Sequence, residues 1–295
     1  MPRAGIVTVV GKPNAGKSTL LNRIVGQKLA ITSPKPQSTR DRVVGIRSTA
    51  DTQMVVLDTP GLLEPRYALH AAMRGTAMTA LRDADVVLYL VDATEGEPAP
   101  LEEVAALSAA ERPRAPVLLV LNKVDTLSPE QRAGLQARFP DATLVSALAG
   151  DGVDALLDAA AARLPESPFL YPEDEISTQT LRFFAAELVR ETALEQLDDE
   201  VPYSVACEIE EFRESRSPVY IRAVLHVERD SQKRILIGAK GARIREIGRA
   251  ARAKIESLLE AQVYLDLWVK VLPNWRRDQR ALRRLGYHLP PDPDA

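Results

Sequence analysis

A glycine-rich loop near the N-terminus has the residue types and the spacing that bind phosphate groups. Residues 11–18 read Gly-Lys-Pro-Asn-Ala-Gly-Lys-Ser, the pattern G-x-x-x-x-G-K-S, and they directly follow the apolar run at residues 6–10. Between a strand and a helix, the N–H groups of such a loop surround the phosphates of a nucleotide, and the helix start adds positive potential. Lys17 would reach the β- and γ-phosphates, and Ser18 would give its hydroxyl oxygen to Mg²⁺. We therefore predict nucleotide contacts from Gly11, Lys12, Pro13, Asn14, Ala15, Gly16, Lys17, Ser18 and Thr19.

A second motif indicates which base is bound. Asn122, Lys123 and Asp125 form the pattern N-K-x-D. A carboxylate at Asp125 can accept hydrogen bonds from N1–H and the 2-amino group of guanine, whereas adenine offers neither donor and would leave the carboxylate unpaired. Asn122 would bridge the base and the phosphate loop, and the aliphatic stem of Lys123 would cover the face of the base. N–H groups for O6 of guanine would come from the loop after residues 142–145, that is from Ser146, Ala147 and Leu148.

These motifs must lie at one edge of a sheet. Apolar runs at residues 54–57, 86–91 and 117–121 are continuous rather than alternating, as is typical of strands buried on both faces of a parallel sheet. Ligands bind at the carboxyl ends of strands in open α/β sheets. The residues at these ends are Asp58, Thr59, Pro60 and Gly61, then Asp92, then residues 122–125. The sequence predicts an α/β domain with a mostly parallel sheet and helices on both faces.

Composition sets outer limits on the protein. Its 295 residues favour two domains over one. Cys207 is the one cysteine in the sequence, which excludes an internal disulfide and a cysteine metal site and suits a reducing cytoplasm. No apolar run approaches the roughly 20 residues that span a bilayer. Because the sequence begins directly with a strand pattern, we expect no signal peptide.

A proline-rich segment separates two halves of different character. Residues 165–174 contain Pro165, Pro168 and Pro172 and therefore cannot form a helix. We interpret the segment as a semi-rigid connector. The predicted boundaries are a nucleotide-binding domain at 1–165, a linker at 166–176 and a second domain at 177–295.

The second half has the element order of an RNA-binding module. Helical spacing covers residues 177–197, strand patterns cover 204–212 and 219–227, and a short helix is predicted at 231–237. A longer helix at 242–259, a strand at 263–271 and a basic terminal helix follow. The order α-β-β-α-α-β, with Gly-Ala-Lys-Gly at 238–241 between two helices, resembles a type II KH domain of α+β class.

The G-x-x-G segment itself has a physical reason to bind nucleic acid. Glycines let the backbone approach nucleotide phosphates closely, and the next helix start offers free N–H groups. We predict that apolar residues floor a groove for unstacked bases, namely Ile235, Leu236, Ile237, Ile244 and Ile247. The predicted RNA-binding residues are Lys233, Arg234, Ile237, Gly238, Ala239, Lys240, Gly241 and Arg243.

The distribution of charge agrees with this interpretation. From Ser231 onward the sequence has 14 lysines and arginines against 7 acidic residues, whereas residues 187–214 carry 10 acidic and 2 basic residues. A basic surface is the electrostatic footprint of phosphate binding. Trp275 could stack on a base, but we favour a place in the core for it.

Several strings together resemble the Era family of bacterial ribosome-assembly GTPases over almost the whole chain. They are Gly-Lys-Pro-Asn-Ala-Gly-Lys-Ser-Thr-Leu-Leu-Asn (11–22), Gln-Ser-Thr-Arg (37–40), Asp-Thr-Pro-Gly-Leu (58–62), Pro-Tyr-Ser (202–204), Ile-Gly-Ala-Lys-Gly-Ala (237–242) and Leu-Trp-Val-Lys-Val (267–271). Two small departures remove no needed group: Ser38 stands where relatives usually have threonine, and Ala15 where they usually have valine.

The resemblance implies roles for individual residues. Asp58 would hold Mg²⁺ through water, and the Gly61 N–H would sense the γ-phosphate. The metal-binding threonine is expected at Thr39, with Ser38 as the alternative, so that Lys17, Thr39 and Gly61 would serve catalysis and Ser18, Thr39 and Asp58 the metal.

Two further residues bear on the rate of hydrolysis. Leu62 stands where Ras-like enzymes carry the glutamine that orients the attacking water, which predicts slow intrinsic hydrolysis. Asn14 stands where related GTPases with a hydrophobic residue at the glutamine position help to bind K⁺, so we expect a K⁺ ion there, although a loop-capping role fits equally well.

The function implied by the resemblance is a GTP-dependent switch. Such a protein would bind GTP or GDP with Mg²⁺, dock its KH domain on the 3′ end of 16S rRNA, and help to mature the 30S ribosomal subunit. The GTP state would bind RNA, and hydrolysis would drive release. We expect a monomeric cytoplasmic protein that can also associate peripherally with the inner face of the cell membrane.

The motifs disfavour two other functional classes. A tRNA-modifying or double-G-domain GTPase is disfavoured because the sequence has neither a C-terminal reactive cysteine nor a second G-x-x-x-x-G-K-S. An RNA-binding protein with a vestigial nucleotide domain is disfavoured because the phosphate, metal and guanine motifs are all intact.

Overall fold

The computed structural model describes residues 1–289. The chain forms two compact units. Unit 1 contains residues 1–65 and 73–178, and unit 2 contains residues 66–72 and the chain from Gln179 onward.

Unit 1 is built on a six-stranded sheet. Its strands are β1 (Arg3–Val10), β2 (Val43–Ser48), β3 (Thr52–Asp58), β4 (Val86–Asp92), β5 (Val117–Asn122) and β6 (Thr143–Leu144). Their order across the sheet is β2-β3-β1-β4-β5-β6, and all neighbours are parallel except the antiparallel pair β2–β3. The predicted α/β class with a mostly parallel sheet is confirmed, and its carboxyl edge carries the polar residues named above.

Helices cover both faces of this sheet. They are α1 (Lys17–Val25), α2 (Ala68–Asp83, whose first residues are counted with unit 2), α3 (Leu101–Val104), α4 (Pro129–Arg138) and α5 (Val153–Ala161). On β2, Gly45 lies against Leu21 and Val25 of α1, whereas Val44 and Ile46 pack with Ala80 of α2. Because successive strand residues face opposite sides, α1 and α2 bury opposite faces of the sheet.

Unit 2 places helices against a three-stranded sheet. The strands β7 (Ala206–Arg213), β8 (Val219–Val227) and β9 (Val263–Val271) lie side by side in that order, with β7–β8 antiparallel and β8–β9 parallel. The helices are α6 (Leu181–Gln196), α7 (Val201–Ser204), α8 (Asp230–Ile237), α9 (Ala242–Leu259) and α10 (Gln279–Arg284). The order of the main elements agrees with the predicted type II KH domain.

Two secondary-structure elements of unit 2 begin later than predicted. Helix α6 begins at Leu181 rather than at residue 177, because the Thr180 side chain accepts a hydrogen bond from the Phe183 N–H and caps the helix. Strand β7 begins at Ala206 because Ser204 ends the short helix α7. Trp275 is fully buried, and its Nε1 donates to the Ser204 carbonyl oxygen at 2.8 Å, so the favoured core position is confirmed.

The proline-rich segment is fixed to unit 1 by a buried glutamine. Gln53 on β3 is fully buried, and its Oε1 accepts hydrogen bonds from the N–H groups of Leu170 (2.7 Å) and Tyr171 (2.9 Å). Its Nε2 donates to the Tyr171 carbonyl oxygen (2.9 Å) and to Ser48 Oγ (3.0 Å). One amide group therefore satisfies three backbone groups of the segment, which is packed rather than free.

Replacing Gln53 with leucine should destabilise unit 1 markedly. Buried N–H and carbonyl groups would lose their partners, so we expect the free energy of unfolding to fall by about 2–4 kcal/mol. Urea unfolding of the full chain, followed by far-ultraviolet circular dichroism, measures the change. Gln136→Leu is the control, because Gln136 is exposed and should cost less than about 0.5 kcal/mol. Equal losses in the two variants would contradict the bracing role of Gln53.

Candidate nucleotide site and nucleic-acid interface

Glycines shape the phosphate loop because other residues would clash there. A Cβ atom on Gly11 would lie 2.2 Å from the Leu90 carbonyl oxygen, and one on Gly16 would lie 2.3 Å from Asn122 Nδ2. Gly16 also has φ 96°, a left-handed conformation that starts helix α1. Asn14 has φ 65°, and its Nδ2 donates to the Pro34 carbonyl oxygen at 2.9 Å. The loop is thus held both by the sheet and by the segment that precedes Thr39.

Lys17 lies inside this loop. Its Nζ donates to the carbonyl oxygens of Gly11 (3.1 Å) and Lys12 (2.8 Å), and the residue is only 5% exposed. Burial lowers the pKa of Lys17 to about 8, and the nearby Asp58 carboxylate opposes this shift. The ammonium group is therefore held where the phosphates of a bound nucleotide would replace the carbonyls as partners.

Ser18, Thr39 and Asp58 converge on one point. Asp58 Oδ2 accepts from Ser18 Oγ at 2.6 Å and from Thr39 Oγ1 at 3.3 Å, and the two hydroxyl oxygens are 2.9 Å apart. Asp58 is fully buried, and burial raises its pKa to about 6 against the opposing charge of Lys17. Of Thr39 and its predicted alternative Ser38, Thr39 is the residue that contacts Asp58.

The chemistry of this set fits Mg²⁺. Asp58 Oδ1 is buried and accepts no hydrogen bond from the described residues. Mg²⁺ prefers hard oxygen ligands and is usually held by one or two carboxylates with hydroxyl, water and phosphate oxygens. Residues 1–289 contain no cluster of three or more His, Cys, Asp or Glu side chains that could hold a metal without such help.

Asn122 joins two loops at the end of the site where the N-K-x-D motif lies. It is buried, its Nδ2 donates to the Ala15 carbonyl oxygen at 2.7 Å, and its Oδ1 accepts from the Ala147 N–H at 2.9 Å. The phosphate loop and the loop after β6 are therefore held at a defined separation by one side chain.

Lys123 is fixed by Asp92, which the sequence predicts at the end of a strand but to which no motif assigns a role. Lys123 Nζ lies 2.6 Å from Asp92 Oδ2, and Asp92 Oδ1 accepts from the N–H and Oγ1 of Thr94. Although burial opposes it, hydrogen bonds from Lys123 and Thr94 hold the pKa of Asp92 below its usual range. Asp92 ends β4, and Lys123 follows the end of β5 at the same edge of the sheet. This shared position is the sequence signal that could have predicted their contact.

These groups surround a cavity of about 610 Å³. The predicted residues that border it are Pro13, Asn14, Gly16, Lys17, Ser18, Thr19, Thr39, Gly61, Lys123 and Leu148. The other predicted residues do not border it: Gly11, Lys12, Ala15, Asp58, Thr59, Pro60, Asn122, Asp125, Ser146 and Ala147. Asp58 and Asn122 lie buried behind its wall, whereas Asp125 is exposed.

Leu62 is part of the core of unit 1. It is only 5% exposed and packs in a cluster with Leu81, Tyr89 and Leu101. Its N–H donates to the Gly11 carbonyl oxygen at 3.0 Å. The side chain that follows D-x-x-G therefore stabilises the sheet and takes no place at the cavity.

The G-x-x-G segment of unit 2 has a strained, glycine-dependent backbone. Gly238, Lys240 and Gly241 all have positive φ angles, of 71°, 50° and 74°. A Cβ on Gly238 would lie 2.8 Å from Arg243 Cβ. This arrangement leaves the Lys240 side chain exposed at the turn between α8 and α9.

The predicted RNA-binding residues are only partly together on this surface. Arg234, Ala239 and Lys240 are exposed, whereas Lys233, Ile237, Gly238, Gly241 and Arg243 are half-buried. The predicted apolar floor is wrong for Leu236 and Ile247, because both are fully buried in the core between the helices and the sheet. Ile237 and Ile244 pack beside that core, and Ile235 is 45% exposed.

Comparison with known proteins gives matches over both units. A family of 50S ribosome-binding GTPases matches residues 6–123, and the KH domain family matches residues 200–276. GTPase Era of Ectopseudomonas mendocina is 45% identical over 293 residues, which cover 97% of this chain and 97% of that protein.

Two solved structures have the same fold at 40% identity. One is Era in complex with MgGDPNP and nucleotides 1506–1542 of 16S ribosomal RNA, with a TM-score of 0.90 over 98% of this chain and all of that one. The other is a variant of Era from Aquifex aeolicus bound to GDP and AlF₄⁻, with a TM-score of 0.89 over 97% of this chain and all of that one.

The raised pKa of Asp58 predicts the pH dependence of metal binding. Above about pH 6 the carboxylate is ionised and can attract Mg²⁺, and below it a proton competes with the metal. The factor by which Mg²⁺ tightens GDP binding should therefore fall up to about tenfold per pH unit below that value. Calorimetric titrations between about pH 5 and pH 8 measure this factor.

Asp58→Asn is the reference for that titration, because the terminal phosphate of GDP also titrates near pH 6. The variant should show little tightening by Mg²⁺ and only the pH dependence of the ligand. If the wild-type factor stays constant down to pH 5, the Asp58 carboxylate does not control the metal.

Proposed function

The chain belongs to the Era family of GTPases, and we propose that it is a GTP-hydrolysing molecular switch that acts in ribosome assembly. In this proposal unit 2 binds the 3′ end of 16S rRNA, and the protein promotes maturation of the 30S subunit and processing of its rRNA. The main support is that Lys17, Ser18, Thr39 and Asp58 lie together beside the N-K-x-D motif. The same chain also contains a G-x-x-G turn.

The residues of unit 1 suggest how each part of the nucleotide is bound. Lys17 exchanges its carbonyl partners for the β- and γ-phosphates, and the Gly61 N–H contacts the γ-phosphate at the border of the cavity. Ser18, Thr39 and Asp58 would hold Mg²⁺, which neutralises charge on the phosphate oxygens when it is bound. At the other end Lys123 and Leu148 enclose the base, and Asp125 reads its N1–H and 2-amino groups.

Intrinsic hydrolysis should be slow because Leu62 cannot orient a water molecule. With that side chain in the core, catalysis rests on Lys17, Thr39 and the Gly61 N–H. The K⁺ ion near Asn14 stays a prediction, and the amide nitrogen of Asn14 is already engaged with Pro34.

Unit 2 offers the chemistry of a single-stranded RNA clamp. The G-x-x-G backbone lets phosphates approach closely, and the exposed Lys240 and Arg234 supply positive charge. In one relative the bound RNA is nucleotides 1506–1542 of 16S rRNA, which is the basis for proposing the same RNA here. We propose that the GTP state binds this RNA and that hydrolysis releases it.

We propose that the protein acts in the cytoplasm, because its proposed RNA partner is assembled into ribosomal subunits there. No helix within residues 1–289 has the length and apolar character needed to cross a membrane. Peripheral membrane association and a monomeric state stay predictions, as do the domain boundaries at 1–165, 166–176 and 177–295.

Replacing Asp125 tests the nucleotide half of the proposal. Asp125→Ala removes two charge-assisted hydrogen bonds to guanine, so GDP affinity should fall by about a hundredfold or more. The preference for GDP over IDP, which lacks the 2-amino group, should nearly vanish. Asp141→Ala, at another exposed aspartate of unit 1, should leave both values unchanged. A variant that keeps the wild-type GDP preference would contradict the assignment of Asp125.

Replacing Gly238 tests the RNA half. Gly238→Ala puts a side chain at φ 71° and pushes Cβ into Arg243, so affinity for an oligonucleotide of the 16S rRNA 3′ end should fall about tenfold or more. The ratio of GTP turnover with RNA to turnover without it should fall toward one.

Gly248→Ala is the matched control for Gly238, since a Cβ at this helical glycine would meet only Leu267 at 3.8 Å. It should keep RNA affinity and the turnover ratio of the wild type. Wild-type protein that hydrolyses GTP but neither binds the oligonucleotide nor responds to it would overturn the RNA half alone.

A further inference from the structure

The loop at residues 146–150 keeps one backbone N–H group uncommitted. Four of its five N–H groups are engaged: Ser146 with the Asp151 carbonyl oxygen (2.9 Å), Ala147 with Asn122 Oδ1 (2.9 Å), Ala149 with Ser146 Oγ (2.9 Å) and Gly150 with the Ser146 carbonyl oxygen (2.7 Å). Within residues 1–289, the Leu148 N–H is the remaining donor of this loop. Leu148 also borders the nucleotide cavity and is 71% exposed.

Arg23 grips the carbonyl side of the same loop. It stands in the last turn of α1, where its Nε donates to the Ala147 carbonyl oxygen at 3.2 Å and its Nη2 donates to the Leu148 carbonyl oxygen. No motif in the sequence pointed to Arg23, because its partners are backbone atoms more than 120 residues away.

Because the peptide bond is planar, holding the Ala147 carbonyl also sets the direction of the Leu148 N–H. The Ala147 carbonyl and the Leu148 N–H belong to one planar trans peptide, in which the two groups point in opposite directions. With the carbonyl held toward Arg23, the Leu148 N–H points away from the Arg23 side chain. Leu148 itself borders the cavity. Donation to the carbonyl by a cationic guanidinium also polarises the peptide and strengthens its N–H as a donor.

We propose that Arg23 is a positioning residue for guanine specificity: it aims the Leu148 N–H at O6 of the bound base. The inference deepens the proposed function and rests on it. A fixed donor at this point favours the O6 acceptor of guanine and opposes the 6-amino donor of adenine, so it discriminates by attraction and by repulsion. Helix α1 thereby serves both ends of the nucleotide, with Lys17 and Ser18 at the phosphates and Arg23 behind the base.

The test compares three diphosphates that differ in one group. GDP has O6 and the 2-amino group, 6-thio-GDP replaces O6 by sulfur, which is a weaker acceptor, and IDP lacks the 2-amino group that Asp125 reads. Dissociation constants are measured for wild type, Arg23→Met and Arg23→Lys. Arg23→Met should weaken GDP binding by roughly threefold to tenfold, as expected for one hydrogen bond.

The two ratios separate orientation of the donor from general damage. In Arg23→Met the preference for GDP over 6-thio-GDP should fall toward one, while the preference for GDP over IDP stays at the wild-type value. Arg23→Lys keeps a positive charge but has a single donor group, so its preference for GDP over 6-thio-GDP should lie between those of the wild type and Arg23→Met.

Arg47→Met is the matched control. Arg47 Nη1 donates to the Ile24 carbonyl oxygen at 3.0 Å, at the same end of α1, and among the described residues Arg47 forms no hydrogen bond or ion pair with the loop at 146–150. This variant should retain both ratios and the GDP affinity of the wild type. Thermal unfolding of each variant checks that the fold is intact.

The outcomes distinguish this inference from the proposed function. Wild type that does not bind GDP would overturn the function itself. Wild type that binds GDP but does not prefer it to 6-thio-GDP has no donor at O6, which overturns the inference alone. The inference is also overturned if Arg23→Met weakens the binding of all three ligands equally, or of none of them.

Discussion

The buried carboxylate of Asp58 is the constraint on which the nucleotide site depends. It lies at the carboxyl end of β3, and its Oδ2 holds hydroxyls from the first turn of α1 and from the segment before β2. A carboxylate with no exposed surface is costly unless charges and donors surround it, and the opposing charge nearby is Lys17. Three chain segments that are distant in sequence are therefore held together by a group that is incompletely satisfied by the protein. A buried carboxylate oxygen without a partner costs free energy in the folded protein, and a divalent cation bound there would offset that cost.

At the other end of the site, buried side chains also hold separate segments of the chain together. Asn122 uses both ends of its amide to join the phosphate loop to the loop after β6, and Asp92 fixes Lys123. The groups that would contact the base are thereby set in position by residues that would not touch it. Pre-organisation of this kind reduces the conformational entropy lost on binding, which is how a small cavity attains affinity for a polar ligand.

Sequence patterns predicted the fold class and the chemistry of the site because both are encoded locally. The phosphate loop, N-K-x-D and G-x-x-G each draw on adjacent residues, and the continuous apolar runs mark buried parallel strands. What the patterns could not supply is set by tertiary contacts. Strand β2 is a short run interrupted by Gly45 that becomes a strand by pairing with β3.

Burial also depends on which side of a helix meets the core. Ile235, Leu236 and Ile237 are equally apolar in sequence, yet Leu236 alone is fully buried, because α8 turns only one of three successive residues inward. The roles of Asp92 and Arg23 depend on partners that are remote in sequence, and no local pattern could reveal them.

The proline-rich segment shows how tertiary contacts change the meaning of a composition. Its prolines exclude helix, yet the segment and the residues that follow it are hydrogen-bonded to other parts of unit 1. The Ile46 N–H on β2 donates to the Ile176 carbonyl oxygen at 2.8 Å, and Ser177 Oγ donates to the Val44 carbonyl oxygen at 2.6 Å. Strand β2 begins four residues after Thr39. The strand that follows Thr39 is thus hydrogen-bonded to Ile176 and Ser177, close to the end of unit 1.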